Sequence, residues 1–265
     1  MKHIVYLRDV IKALDGEFHP ELQEDYDNSG YLFGDGNTPY HGALVALDLT
    51  ESVVEEAVAQ GLNLIVTHHP FIFSGVKRLT EHSATGRMVL RLAQEKIAVY
   101  AAHTNLDNLP WGVNAALAEH LKLSNLQILK PLDGHHDCGA GMVGELSAAE
   151  ECDAYLQQVK SALGLPTLRC SAHDSRKPVR RVAFCGGSGS EFIHDALIAK
   201  ADLYLTADLK YHDFQRTDGR MVLCDVGHYE SEQFAKDIIF RVVLRNFSNF
   251  AVRYSESQGS IVCYI

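Results

Sequence analysis

Six side chains suited to a divalent metal fall just beyond apolar runs. His68 and His69 follow Leu64-Ile65-Val66-Thr67, His103 and Asp107 follow Ile97 to Ala102, and His228 and Glu232 follow Met221 to Asp225. Imidazole and carboxylate without thiolate suit zinc, manganese, iron(II), nickel or cobalt. Six groups are too few to fill two coordination shells, so two ions held here would keep positions for water, as catalytic sites do. Ions about 3.5–4 Å apart need a bridging carboxylate, which Asp107 or Glu232 can provide, and such a pair lowers the pKa of bound water. Taken singly, each pair has an ordinary alternative. Asp107 can cap a helix, and Tyr229-Glu230-Ser231-Glu232 can be an acidic first turn favoured by the helix dipole. The six together, at matching places in the chain, are what make a metal centre the better reading.

The elements that must position these residues read as alternating strands and helices. Leu7, Val10, Ile11 and Leu14 have helical spacing, closing near Gly16, and Asp25 to Gly30 is a turn-rich loop. Ala43 to Leu47 is a strand ending in Asp48. Thr50, or Ser52 with Glu55 in a capping box, starts a helix that ends at Gly61. The histidine strand stops at Pro70, which cannot donate to a ladder. A helix through Met88 and Leu92, a strand from Ile97 to Ala102, a helix from Val113 to Leu121 and a short strand from Gln127 to Leu129 follow. Beyond the polar turn Pro131 to Asp137 come a strand from Gly141 to Leu146 and a helix from Ala148 to Leu163. His135-His136 is discounted as a metal site because its turn residues suit a mobile loop.

The second half repeats the first. Val182-Ala183-Phe184-Cys185 stands where Val45-Ala46-Leu47-Asp48 stood. After a helix from Ile193 to Lys200, the strand Ala201 to Asp208 echoes Gly61 to His69, and each reaches a threonine. A helical segment near Tyr211 to Gln215 and the strand Met221 to Asp225 then match the route to His103. A long helix through Ile238 and Val242 and strands near Val252 and Val262 close the chain. The expected architecture is α/β, with two similar half-domains from an internal duplication, residues 1–131 and 132–265, and a dinuclear metal site in the cleft between them. His103 and Asp107, like His228 and Glu232, are four apart, so each pair shares one face of a helical turn.

Composition sets bounds. The 265 residues can bury a sizeable core, and 46% hydrophobic content is ordinary for a globular protein. Lys+Arg of 24 against Asp+Glu of 34 argues against a nucleic-acid or anionic-membrane binder. Arg176 to Arg181 is a local basic patch that reads as a solvated loop. The first residues lack a long apolar segment of the signal-peptide type, and no stretch approaches the roughly 20 apolar residues of a membrane span. The six scattered cysteines, with no C-x-x-C, then read as reduced thiols in a cytoplasmic protein. Cys185-Gly186-Gly187-Ser188-Gly189, between a strand and a helix, is either a tight turn or a set of N–H groups for an anion.

Several of these segments together resemble the GTP cyclohydrolase I type 2 family, also called Nif-three-like dinuclear metal-centre proteins. The matching stretches are Thr67-His68-His69-Pro70, His103 to Asp107, Val182 to Gly189, Thr206 to His212 and Asp225 to Glu232. Asp27-Asn28-Ser29-Gly30 is similar to the family's early loop, with Tyr26 where a tryptophan is usual. The resemblance covers nearly the whole chain, and the link from Leu129 to Gly141 is too short for the large insertion some members carry. It implies two divalent ions per chain, with His69 and Asp107 on one, His68 and His228 on the other, and Glu232 bridging. It makes His103 a nearby base or extra ligand, and it implies a hexameric ring around a central cavity. The implied activity is opening of the purine imidazole ring of GTP to give formate and dihydroneopterin triphosphate, with His103 and Glu232 as catalytic residues. The competing class is a non-catalytic metal protein, either a metal-handling factor or a ring-shaped regulator.

Overall fold

The computed structural model describes residues 4–265. In chain order the elements are α1 (Leu7–Phe18), β1 (Gly30–Phe33), β2 (Gly42–Ala46), α2 (Glu51–Gln60), β3 (Leu64–Thr67), α3 (Ala84–Glu95), β4 (Ala98–Ala101) and the single turn α4 (Thr104–Asp107). There follow α5 (Val113–His120), β5 (Ser124–Pro131), β6 (Gly139–Glu151), α6 (Cys152–Leu163), β7 (Arg169–Cys170), β8 (Pro178–Ser188), α7 (Ile193–Ile198), β9 (Leu203–Ala207), β10 (Val222–Asp225), α8 (His228–Glu232), α9 (Ala235–Asn246) and β11 (Ala251–Tyr254). The α/β class expected from the alternation is what forms.

The chain packs as two compact units. One comprises Met1–Leu106 with Ala235–Gly259, and the other Asp107–Phe234 with Ser260–Ile265. The expected halves were contiguous and met at residue 131. This division differs because α9 packs back against β2 and β3, and β11 pairs with β2 in parallel.

The first unit holds a five-stranded sheet in the order β1-β4-β3-β2-β11. Strands β2, β3 and β4 are consecutive and parallel, joined by α2 and α3, and β1 is antiparallel to β4. Every residue of β2, β3 and β4 is buried, as parallel strands covered on both faces require. Thr50 caps α2, its hydroxyl accepting from the Val53 N–H, so the alternative box on Ser52 and Glu55 does not form. Gly61 ends that helix at φ 66°, a conformation that favours glycine.

The second unit holds a six-stranded sheet in the order β5-β6-β8-β9-β10-β7. Here β8, β9 and β10 are the consecutive parallel strands, and β5, β6 and β7 are antiparallel additions. The repeat read in the sequence is therefore a repeat of topology: three parallel strands with two crossovers, then a short helix, α4 in one unit and α8 in the other.

Three expectations need correction. Residues 148–151 do not begin a helix: β6 runs on to Glu151, since after a bulge Glu150 and Glu151 pair with Val179 and Pro178, and α6 starts at Cys152. Ladder pairing there outweighs the helical propensity of Ala-Ala-Glu-Glu. Val262 lies in no strand and is 56% exposed. Cys170 and Cys224 are not free thiols. They oppose each other in the β7–β10 register with Cα atoms 4.2 Å apart and form a disulfide, in which Cys138, Cys152, Cys185 and Cys263 take no part. Among the described residues, no helix is long and apolar enough to cross a membrane.

Candidate metal centre

In the first unit three histidines converge at the carboxyl ends of β3 and β4, where open α/β sheets bind ligands. The ring centroids of His68 and His69 are 5.0 Å apart, those of His68 and His103 5.3 Å, and those of His69 and His103 5.5 Å. Ring nitrogens of His68 and His69 come within 4.8 Å of each other. The strand does not splay them apart because it leaves its ladder at once: the His68 and His69 N–H groups both turn to the Leu47 carbonyl, at 3.1 and 2.9 Å.

Each ring is anchored through Nδ1 to an oxygen. His68 Nδ1 lies 2.6 Å from the Ala102 carbonyl, His69 Nδ1 2.6 Å from Asp48 Oδ1, and His103 Nδ1 2.7 Å from Asp27 Oδ1. A carbonyl or carboxylate only accepts, so Nδ1 carries the proton in all three and Nε2 bears the lone pair. Histidine ligands are oriented in this way at metal sites.

Asp27 is the most elaborate of these anchors. Its side chain is fully buried, and it also accepts from Thr104 N–H at 3.1 Å, the Thr104 hydroxyl at 2.5 Å and the Ser29 hydroxyl at 2.7 Å. Burial alone would raise its pKa. The hydrogen bond from His103 and those from the two hydroxyls prevail and hold the carboxyl well below the usual range. The His103 backbone is pinned as well: its N–H donates to Asn105 Oδ1 at 2.9 Å, and Asn105 Nδ2 donates to the Phe18 carbonyl at 2.8 Å.

The second unit builds a smaller set by the same rule. His228 opens α8, with Nδ1 2.8 Å from Asp208 Oδ2 and Nε2 2.9 Å from Glu232 Oε2 one turn later. The Glu232 side chain is 4% exposed. In each unit an anchoring aspartate follows one parallel strand (Asp48 after β2, Asp208 after β9) and its histidine follows the neighbouring strand. Asp107 closes α4, and its backbone carbonyl accepts from Asn114 Nδ2 at 3.3 Å.

The glycine run at the end of β8 lies against Glu232. Gly187 has φ 64°, and a Cβ there would sit 1.9 Å from Glu232 Oε1 and 3.3 Å from His228 Nε2. Its N–H donates to Ser231 Oγ at 3.0 Å, and its carbonyl accepts from Thr206 Oγ1 at 3.0 Å. The Gly186 N–H donates to Asn114 Oδ1 at 3.0 Å. The Gly186 and Gly187 N–H groups are committed within the unit and not open to an anion, and these two glycines form the irregular end of β8 instead of a tight turn.

The chain's own residues thus bring His68, His69 and His103 into one set and His228 and Glu232 into another. Sequence reasoning gave no chemical role to Asp27, Asp48, Asp208 or Asn114. For Asp48 and Asp208 the available signal was an acidic residue a step or two past an apolar strand.

An α/β fold of two sheets carries anchored imidazoles and a buried carboxylate at strand ends, groups that could hold a metal ion. Comparison with known proteins identifies the family. Residues 5–260 match the family described as Duf34/NIF3 (NGG1p interacting factor 3), and the chain belongs to that family. A protein of Clostridium perfringens named GTP cyclohydrolase 1 type 2 homolog is 34% identical over 229 residues, covering 85% of this chain and 86% of that one. A Lactococcus lactis protein of the same name is 34% identical over 241 residues, 90% of each. Among solved structures, a hypothetical protein of Staphylococcus aureus superposes with a TM-score of 0.90 at 29% identity, covering 99% of this chain and all of the other.

Proposed function

We propose that this chain is a hydrolase dependent on two divalent metal ions that opens the imidazole ring of GTP and releases formate. In this reading His69 and Asp107 would hold one ion, His68 and His228 the other, Glu232 would serve both, and His103 would be the base. The observation that carries it is the shared anchoring of His68, His69 and His103, each with Nδ1 tied to an oxygen. Nitrogen and carboxylate donors with no thiolate fit zinc, iron, manganese, nickel or cobalt alike. The names of the relatives support the substrate class.

The ions, when bound, supply Lewis acidity and an activated water. The protein's own groups do the rest. His103 presents Nε2, accepts a proton there and returns it to the departing ring nitrogen. Asp27 keeps the His103 proton on Nδ1 and stabilises the imidazolium formed in between. Self-association into a hexameric ring and a cytoplasmic location belong to the same proposal.

Elemental analysis of protein purified without added metal should find at least two metals per chain. Formate release from GTP by the metal-loaded protein tests the chemistry. Two bound metals with GTP left intact would remove the hydrolase and leave a metal-handling or regulatory protein.

A further inference from the structure

A separate cluster of ligating side chains lies in the second unit, outside the groups described above. Cys152 and Asp153 open α6, and His173 comes from the loop between β7 and β8. That loop lies along the first turn of the helix: the Cys152 N–H donates to the Lys177 carbonyl and the Asp153 N–H to the Ser175 carbonyl, both at 3.0 Å. One ligand atom from each of Cys152, Asp153 and His173 lies within 4.8 Å of the other two.

The His173 ring has an acceptor at both ends. Nδ1 is 2.8 Å from the Ser171 carbonyl, and Nε2 is 2.9 Å from Asp153 Oδ1. A neutral imidazole carries one N–H and cannot donate to both. With Nδ1–H given to the carbonyl, the Nε2 lone pair would face a carboxylate oxygen. The arrangement therefore calls for a positive charge between Nε2 and Oδ1. A proton can supply it, but a proton makes no use of the third group. Cys152 is fully buried, and burial, followed by the charge of Asp153, pushes its thiol up to about 11, so without a cation it stays protonated.

We propose that Cys152, Asp153 and His173 form a mononuclear zinc site distinct from the histidine and carboxylate centre. Thiolate, imidazole and carboxylate are the donors zinc takes in tetrahedral sites, and the fourth position would go to water. Bonds of about 2.0–2.3 Å place the ligand atoms of one zinc roughly 3.3–3.7 Å apart. Nε2 and Oδ1 need to open by only about half an ångström to admit the ion. The Ser171 carbonyl already orients the imidazole, as outer partners of zinc-bound histidines do. Binding releases the Cys152 proton and staples the 171–177 loop to the start of α6.

Cobalt(II) gives a readout that the other centre cannot. A cobalt–thiolate bond absorbs in the near ultraviolet by charge transfer, and the proposed His and carboxylate ligands contain no thiolate. Titrating the metal-stripped full chain with Co2+ should produce such a band, saturating at one ion per chain. Cys152→Ala should abolish it, and Cys138→Ala, in the His135-Asp137-Cys138 group, should leave it intact. His173→Ala should weaken the affinity read from this band by roughly a hundredfold or more, since loss of an outer-sphere partner alone costs 10- to 100-fold. His173 lies on a surface loop, so that variant keeps the test sound if Cys152→Ala does not fold. No thiolate band in the wild type, a band that survives Cys152→Ala, or unchanged affinity in His173→Ala would overturn the proposal. In the first case a proton fills the His173–Asp153 contact.

Discussion

Gly187→Ala isolates the close approach of backbone to Glu232. The substitution carries two costs. The first is conformational: at φ 64° an L-residue costs roughly 1–2 kcal/mol. The second is steric. The added Cβ would stand 1.9 Å from Glu232 Oε1, about 1.5 Å inside the 3.4 Å at which ordinary contact begins. Either the carboxylate or the strand end must give. The backbone is held by the Ser231 and Thr206 hydroxyls, so the carboxylate is the group that moves.

A carboxylate ligand binds at about 2.0–2.2 Å with a tolerance of roughly 0.2 Å, so a shift of that size removes it from coordination. The expected result is a fall of about a hundredfold or more in metal affinity, beyond the 10- to 100-fold of a lost outer partner. Gly61→Ala is the matched control. Its φ is 66°, and nothing lies within 4 Å of an added Cβ, so it shares the conformational cost and lacks the clash. Metal-stripped wild type and both variants would be titrated with Zn2+ against a chromophoric chelator, with melting temperatures measured on the same samples. Both variants should melt lower, Gly187→Ala by at least as much as Gly61→Ala, and only Gly187→Ala should lose metal. A folded Gly187→Ala that binds metal like wild type would refute the assignment of Glu232 as a ligand.

Glu232→Ala should remove or loosen both metals while Asp107→Ala mainly affects one, as elemental analysis of the two variants would show; wild-type content in Glu232→Ala would exclude a bridge. His103→Ala should keep two metals and lower GTP turnover by about 10²–10⁴-fold, the usual worth of a general base; joint loss of metal and activity, both restored by excess metal, would make His103 a ligand instead. In Asp27→Asn the new NH2 must face a donor, because its neighbours His103, Thr104, Ser29 and the Asn28 N–H all donate, so calorimetry should find a loss of about 1–3 kcal/mol. Light scattering should find an oligomer larger than a dimer, and a stable monomer would remove the ring.

What could be read from the sequence followed from local pattern. Short apolar runs marked β2, β3, β4, β8, β9 and β10, and the candidate metal ligands stood just past them. The anchors were a different matter. Asp27 reaches His103 across 76 residues, and the disulfide joins cysteines 54 apart. Neither separation has a period to detect, because each is set by which strands become neighbours. The boundary at Cys152 was hidden for a related reason. Residues 148–151 look helical by propensity and are extended because β8 lies beside them. The return of α9 and β11 to the first sheet is likewise decided by pairing with β2, which nothing in residues 235–254 announces.

The anchors also explain why a repeated topology suits this chemistry. A parallel sheet brings the ends of neighbouring strands side by side, so a residue past one strand faces a residue past the next. That adjacency gives His69 its Asp48 and His228 its Asp208, one neighbour supplying the imidazole and the other the oxygen that fixes its tautomer. The units then diverge where their tasks do. The first spends its close packing on three rings and leaves His103 backed by a buried carboxylate. The second clears a glycine-lined space so that a carboxylate can stand against its histidine. Filling that space with a single methyl group, as in Gly187→Ala, therefore acts on the Glu232 carboxylate itself, whereas the same methyl at Gly61 acts only on a helix end.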